Sequence, residues 1–385
     1  MEKVKLVKRK YYLDLLDRNT SAFKKGNGKN IALLGSRKCG KTLIVKEHIS
    51  NSKDIISVYV DLEKISLNPE NFSIELIGNA TFNFLKKPLN EYKKFLLLEN
   101  LTRLENEIGK ISFSQIKTIE NELLKIKPDQ KLIVQSAFNF IEALAKDNNK
   151  KIQVVFDNFE NILDLNNFSQ IKDVLSLINF ESQNVNYIIT SSAIKQSISS
   201  LKNFECYEIK NLERKEIFSL AEGHLQNTGL DAEKISSEIF SLTNGHPYVA
   251  SLILKKLIDD KNSNPKLAFV SGLLQKSNPI HDYCNDSLAY YYSRARGQTL
   301  LKTILRTIAK EELRLSDIAK KIYRSAPVTK SIIERLIDVD IICRKENKFY
   351  FTDKTLGLWV KMISQGYEFD DVPDDKMLEE VVKGI

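Results

Sequence analysis

Short, wholly apolar runs alternate with longer stretches of helical period through the first half of the chain. KNIALL at 29–34 reads as a buried strand, and LIVKEHI soon after it has helical spacing. IISVYVDL at 55–62 is β-branched and aromatic, the composition of a second strand. Phe72 to Leu85 has helical periodicity again. Residues 88–130 predict two helices, NEYKKFLLLENLTRLENEIGK and SFSQIKTIENELLKI, as an insertion or a protruding hairpin. KLIVQSAFNFIEALAK at 131–146 predicts a helix leading into a strand, IQVVF, at 152–156. VNYIIT at 185–190 and a short segment at Cys206–Ile209 predict two more strands. Strands separated by helices argue for a parallel sheet covered by helices.

From about residue 213 the strand signals stop. Residues 213–262 read as helices with a turn at Asn244–Pro247. A third segment begins near Ser287. TLLKTILRTIAK is an amphipathic helix, RLSDIAKKI a second with Ser316 as N-cap, and VTKSIIERLIDVDII a third after Pro327, with Thr329 as its cap. ICRKENKFYFT then reads as two strands joined at Glu346–Asn347. Three helices and a hairpin give the order of a winged helix. The expected division is an α/β core at 1–212, a helical lid at 213–286, a winged helix at 287–365 and an acidic tail at 366–385.

The chain has 385 residues, more than one ordinary core accommodates. Its net charge of +8 favours an anionic partner, unless Lys-rich coding alone raised it. Cys39, Cys206, Cys284 and Cys343 are scattered and no CxxC pair occurs, which argues against a zinc site or a disulfide framework. The opening MEKVKLVKRKYY is basic without an apolar stretch, so no secretory signal is read there. No apolar run approaches the roughly 20 residues of a membrane helix. A cytoplasmic protein is expected.

The most specific chemistry lies at Gly35-Ser36-Arg37-Lys38-Cys39-Gly40-Lys41-Thr42, a full G-x-x-x-x-G-K-[ST] between a strand and a helix. Glycines let backbone N–H groups turn inward around phosphate oxygens. The helix that continues through Leu43 points its positive end at the same anion. Lys41 is expected at the β- and γ-phosphates of ATP, and the Thr42 hydroxyl on Mg²⁺. The second metal-side group is Asp157, at the end of IQVVF, where the alternative is an ordinary strand-ending turn. Next to it stands Asn158, an amide that can position water but cannot accept its proton. Glu160 is the nearby carboxylate that could substitute, or else a surface residue. Thr190 or Ser191 is the candidate γ-phosphate sensor, or else a helix cap.

GSRKCGKT, VVFDNFE, YIITSSA and LTNGHPYVASLIL follow in order and precede the winged-helix pattern. This combination resembles the archaeal ATPases of the STAND branch of AAA+-related P-loop proteins. Asp17-Arg18-Asn19 loosely matches a motif before the first strand of that family. The resemblance implies an AAA+-like parallel-sheet P-loop NTPase fold. It also implies that Gly245, His246 and Pro247 lie against the nucleotide, although the same residues could simply stop a helix. The family usually has Asp-Glu where this chain has Asp157-Asn158, so ATP binding is better supported than brisk hydrolysis. No arginine finger stands out, although Arg214 lies at a suitable place in the order.

A winged helix that reads duplex DNA uses its third helix and its hairpin. That face would offer Thr329, Lys330, Glu334 and Arg335, and the wing Arg344, Lys345 and Lys348. Glu334, Asp338 and Asp340 oppose the idea, and in the resembled family a winged helix also serves as a switch arm. Three functions follow: an ATP-dependent switch on DNA, a DNA-binding regulator with a structural nucleotide, or a scaffold that forms homo-oligomers.

Overall fold

The computed structural model describes residues 9–226, 228–260, 264–295, 298–370 and 378–381. The α/β half begins with α1 (Lys10–Lys24), β1 (Asn30–Leu34) and α2 (Lys41–Asn51). β2 (Ile56–Asp61) and α3 (Pro69–Phe84) follow. A 3₁₀ stretch at Leu89–Leu96 and two single turns, α4 (Leu98–Leu101) and α5 (Glu105–Ile108), lead to α6 (Lys110–Leu123) and α7 (Gln130–Asp147). β3 (Ile152–Asp157), β4 (Val185–Ser191), α8 (Ile194–Ser200) and β5 (Phe204–Glu208) complete this half.

The five strands are parallel in the order β2-β3-β4-β1-β5. β1, β3 and β4 are buried at every position. Helices on both faces explain why these strands read as unbroken apolar runs rather than alternating ones. One face carries α3, α6 and α7 over Val58, Val154, Phe156 and Ile189. On the other, α1 and α2 supply Leu16, Ile44 and Val45 against Ile31, Leu33, Val155 and Ile188.

The second half contains α9 (Arg214–Leu225), α10 (Ala232–Thr243), α11 (Pro247–Asp259), α12 (Pro265–Leu274) and α13 (Pro279–Ala295). Then come α14 (Gln298–Lys310), β6 (Leu313–Arg314), α15 (Leu315–Lys321), α16 (Ala326–Asp338), β7 (Ile342–Lys345), β8 (Lys348–Phe351) and α17 (Lys354–Ser364). A three-stranded antiparallel sheet has the order β6-β8-β7. One apolar core runs through this half, from Leu212 through Ile253, Phe269, Ile304 and Leu336 to Trp359.

Several local expectations need correction. The first helix expected in 88–130 is broken into short turns, and only α6 is a full helix. The stretch does not protrude: Leu101, Ile108, Ile116 and Ile119 are fully buried in the sheet's core. Two glycines admit it. A side chain on Gly78 of α3 would strike the Phe95 carbonyl oxygen at 2.1 Å, and Gly109 has φ +96°. Asp147 then accepts from Ser112 N at 2.8 Å, fixing the start of α6.

The N-cap of α15 is Arg314, not Ser316, and that of α16 is Ser325, not Thr329. Thr329 is fully buried in the first turn, with its hydroxyl on the Ser325 carbonyl at 3.0 Å. It is therefore absent from any exposed face. β6 interrupts the stretch expected to lack strands, because Leu313 pairs with Phe349. In the acidic tail, residues 371–377 and 382–385 lie outside the described residues, as do the basic residues 1–8. The described part is anchored rather than solvated. Phe369 N bonds the Leu274 carbonyl at 3.0 Å, and Leu378 and Val381 join the core.

Candidate nucleotide site

The site is assembled at the carboxyl ends of β1, β3 and β4, where a parallel sheet of this kind presents its ligand-binding crevice. The phosphate loop leaves β1 at Gly35, whose N–H bonds the Ser191 carbonyl at 3.1 Å. Any side chain at Gly35 would meet the Ile209 carbonyl oxygen at 2.7 Å and Cys39 Sγ at 2.8 Å. Gly40, with φ +106°, turns the loop into α2. Lys41 is 5% exposed. Its ammonium donates to the carbonyls of Gly35 (2.8 Å) and Ser36 (2.9 Å) and to Ser192 Oγ (3.0 Å). Thr42 follows on the first turn of α2, and Leu43 is exposed.

Asp157 ends β3 and is fully buried. Its Oδ2 accepts from Tyr59 Oη at 2.8 Å, and its Oδ1 accepts from the Thr190 hydroxyl. Burial, then the charge of Asp157, raises the Tyr59 pKa, so that phenol remains a donor. Thr190 Oγ1 also accepts from Asn158 N at 3.1 Å. The neighbouring Ser191 hydroxyl serves the start of α8, accepting from Ala193 N at 3.1 Å. Thr190 is thus the β4 hydroxyl that faces Asp157. Asn158 has φ +56° and aims its amide at β2, donating to Asp61 Oδ1 at 3.0 Å and Glu63 Oε2 at 3.4 Å.

Glu160 is not a surface residue, since it is 4% exposed. Its Oε1 accepts from Ser192 N at 3.1 Å and from Tyr290 Oη at 2.9 Å. Tyr290 belongs to α13. The Arg37 guanidinium lies over its ring at 4.5 Å and that of Arg294 at 4.8 Å. Arg294 also donates to Asn161 Oδ1 at 2.7 Å. Burial, with Glu160 as a second cause, raises the Tyr290 pKa. The sequence pattern did not single out Tyr290 or Arg294; the run Tyr290-Tyr291-Tyr292 before Arg294 was the available signal.

The turn after α10 reaches the phosphate loop through His246. Asn244 closes α10 with φ +49°, and Gly245 follows with φ +74°. A side chain on Gly245 would strike the Leu212 carbonyl oxygen at 2.0 Å. His246 is buried, with Nε2 at 3.1 Å from the Arg37 carbonyl oxygen and 3.0 Å from Tyr283 Oη. Tyr283 Oη donates to Asp353 Oδ2 at 2.6 Å. Pro247 opens α11. Lys38 reaches over the Tyr248 ring at 5.6 Å.

Other sequence candidates lie elsewhere. Arg214 stacks on Phe240 at 4.7 Å. Asp17 pairs with His48 Nδ1 at 2.7 Å, and Asn19 exchanges two hydrogen bonds with Lys29, so this motif fastens α1 beneath the sheet.

The overall arrangement is similar to that of a Walker-type ATPase of Pyrococcus abyssi. The superposition covers 90% of this chain and 95% of that chain, with a TM-score of 0.63 and 16% identity. This chain has the AAA+-like P-loop NTPase fold. The Cdc6p structure from Pyrobaculum aerophilum aligns over 96% of both chains, at a TM-score of 0.40 and 13% identity. A STAND protein with a tetratricopeptide-repeat sensor, from Pyrococcus horikoshii, covers 90% of this chain and 42% of that chain, at 0.35 and 14%. No family model and no curated protein sequence matches this chain. Among the described residues, no helix is long and apolar enough to cross a membrane.

Proposed function

We propose that this protein binds ATP with Mg²⁺ as a nucleotide-dependent switch of the STAND or AAA+ type, hydrolyses ATP slowly and acts on duplex DNA. The observation that carries this reading is the convergence of Lys41, Ser192, Thr190 and Asp157 at adjacent strand ends. The phosphate loop would hold the triphosphate, with Lys41 at its charged end. Thr42 and Asp157 would hold the metal. The fit is chemical: Asp157 is a fully buried carboxylate whose hydrogen-bond donors are the neutral hydroxyls of Tyr59 and Thr190. A hard divalent cation suits such oxygen donors and would offset the buried charge. Bound there, Mg²⁺ would supply charge neutralisation to the phosphates.

The switch reading is supported by the number of phosphate-loop residues engaged by the second half. Arg37 touches Tyr290 and His246, and Lys38 touches Tyr248. A nucleotide that reshapes this loop therefore acts on α11 and α13. We read α14, α15 and α16, backed by the β6-β8-β7 sheet, as a winged helix; the expected start at 287 falls inside α13. Lys330, Arg344 and Lys345 are exposed on it and suit DNA phosphates. Lys330 also lies 3.7 Å from Glu334, and Arg344 bonds Asn347.

Phosphate release, measured with and without duplex DNA, tests this function. Turnover that responds to DNA supports it. ATP binding without turnover, together with DNA affinity, favours the regulator reading. Association on adding ATP, with no DNA affinity, favours the scaffold.

A further inference from the structure

ATP hydrolysis needs a group that takes up or orients the proton of the attacking water. The residue after Asp157 is an amide, which can position water but cannot accept its proton, so a proton acceptor has to come from elsewhere.

The described carboxylates around Asn158 differ in what already occupies them. Glu160 is buried: one of its oxygens takes two donors, Ser192 N and Tyr290 Oη, and the other is enclosed away from water without a partner among the described residues. Asp61 is enclosed too, with a side chain 12% exposed. It accepts from the Asn158 amide and from Glu63 N, and pairs with Lys64 at 3.3 Å. Both serve as internal struts.

Glu63 differs on each count. It follows β2, which runs beside β3 with Asp61 opposite Asp157. Leu62 N bonds the Asp157 carbonyl at 3.0 Å, so the turn bearing Glu63 is fixed against the end of β3. Its side chain is 54% exposed, which leaves it open to water. Its two oxygens face different groups. Oε1 lies 3.4 Å from the guanidinium of Arg37, within the phosphate loop, and Oε2 lies 3.4 Å from the Asn158 amide. Both separations are at the long end of hydrogen-bond range, so neither holds the carboxylate tightly.

We propose that Glu63 is the catalytic carboxylate of this site, supplied from the turn that follows β2 and oriented by Asn158 and Arg37. The inference rests on the ATPase reading above. In the step it serves, a water oxygen forms a bond to the γ-phosphorus. The bond from that phosphorus to the β–γ bridging oxygen breaks, and ADP leaves with the electron pair. The proton lost by the water passes to Glu63 and then to solvent, leaving ADP and inorganic phosphate.

The test compares wild type, Glu63→Gln and Glu63→Asp in two readouts. The first is steady-state phosphate release. The second is the identity of the nucleotide retained after rapid gel filtration from ATP and Mg²⁺. Glu63→Gln is expected to lower kcat by about 10²-fold or more, the usual scale of general-base catalysis. It is expected to retain intact ATP where wild type retains ADP, and Glu63→Asp is expected to recover part of the rate. Wild-type turnover in Glu63→Gln overturns the inference, as does loss of ATP binding in that variant. A wild type that binds ATP without hydrolysing it also overturns it, while leaving nucleotide binding intact. Failure of wild type to bind ATP removes the ATPase reading itself.

Discussion

Tyr290 Oη donates to Glu160 Oε1 at 2.9 Å, tying α13 to the turn that follows the Asp157 strand. The same tyrosine ring lies beneath the Arg37 guanidinium at 4.5 Å. One side chain from the second half therefore meets both the phosphate loop and the carboxylate beside the candidate metal ligand. The other Glu160 oxygen is buried without a hydrogen-bond partner among the described residues.

Removing that hydroxyl should be costly because a charged group would be left without one of its donors. Tyr290→Phe is expected to destabilise the protein by about 1–3 kcal/mol. Urea unfolding measures this as a lower midpoint at unchanged slope. An unchanged midpoint would show that the hydrogen bond contributes nothing.

His246 gives the fold a dependence on pH. Burial holds its pKa below the ordinary 6.5. As pH falls below that value, the unfolded chain takes up the proton and the folded chain does not, so stability declines with acidification. The limiting slope is about 1.4 kcal/mol per pH unit for one group. Burial lowers the His224 pKa as well, so His246→Gln should remove one of two histidine contributions. Chemical denaturation below neutral pH checks this. A slope identical in wild type and variant contradicts it.

The stretch from 88 to 130 contains both core and surface residues. Ile119 is fully buried, whereas Ile126 is fully exposed. Ile119→Ala is expected to cost about 2–5 kcal/mol. Ile126→Ala should change stability by no more than about 0.5 kcal/mol. Equal effects in thermal unfolding would place the stretch outside the core.

That stretch also marks where the sequence stopped being legible. The parallel strands were readable because burial on both faces leaves unbroken apolar runs such as NIALL and IQVVF. The phosphate loop was readable because its glycines and Lys41 have fixed spacing. Residues 89–108 share the apolar spacing of a helix, yet their path is set by Gly78, which lets the Phe95 backbone approach α3. Such long-range accommodation leaves no local signal. Glu63, Tyr290 and Tyr283 were missed for the same reason, because distant partners give them their place. Even Thr329 misled, since a threonine after a proline looks like a cap and here lies inside the first turn.

The basic residues of α16 and of the β7–β8 hairpin offer a test of the proposed DNA partner. Replacing Lys330, Arg344 and Lys345 together by Ala should weaken binding to duplexes of unrelated sequence alike. Each DNA phosphate that a cation no longer neutralises reduces the steepness of the fall of log affinity with log salt by about 0.9. Fluorescence anisotropy over a salt series would show a drop of up to about 2.7 if each of the three cations meets one phosphate. An unchanged slope would move DNA binding off this face.

The most direct test of the account is equilibrium dialysis of ATP against wild type and Lys41→Ala, each with and without Mg²⁺. Wild type is expected to retain ATP, more tightly with Mg²⁺, and Lys41→Ala to lose most of that affinity. Retention that is equal in the two proteins, or absent from both, contradicts a nucleotide site at this loop.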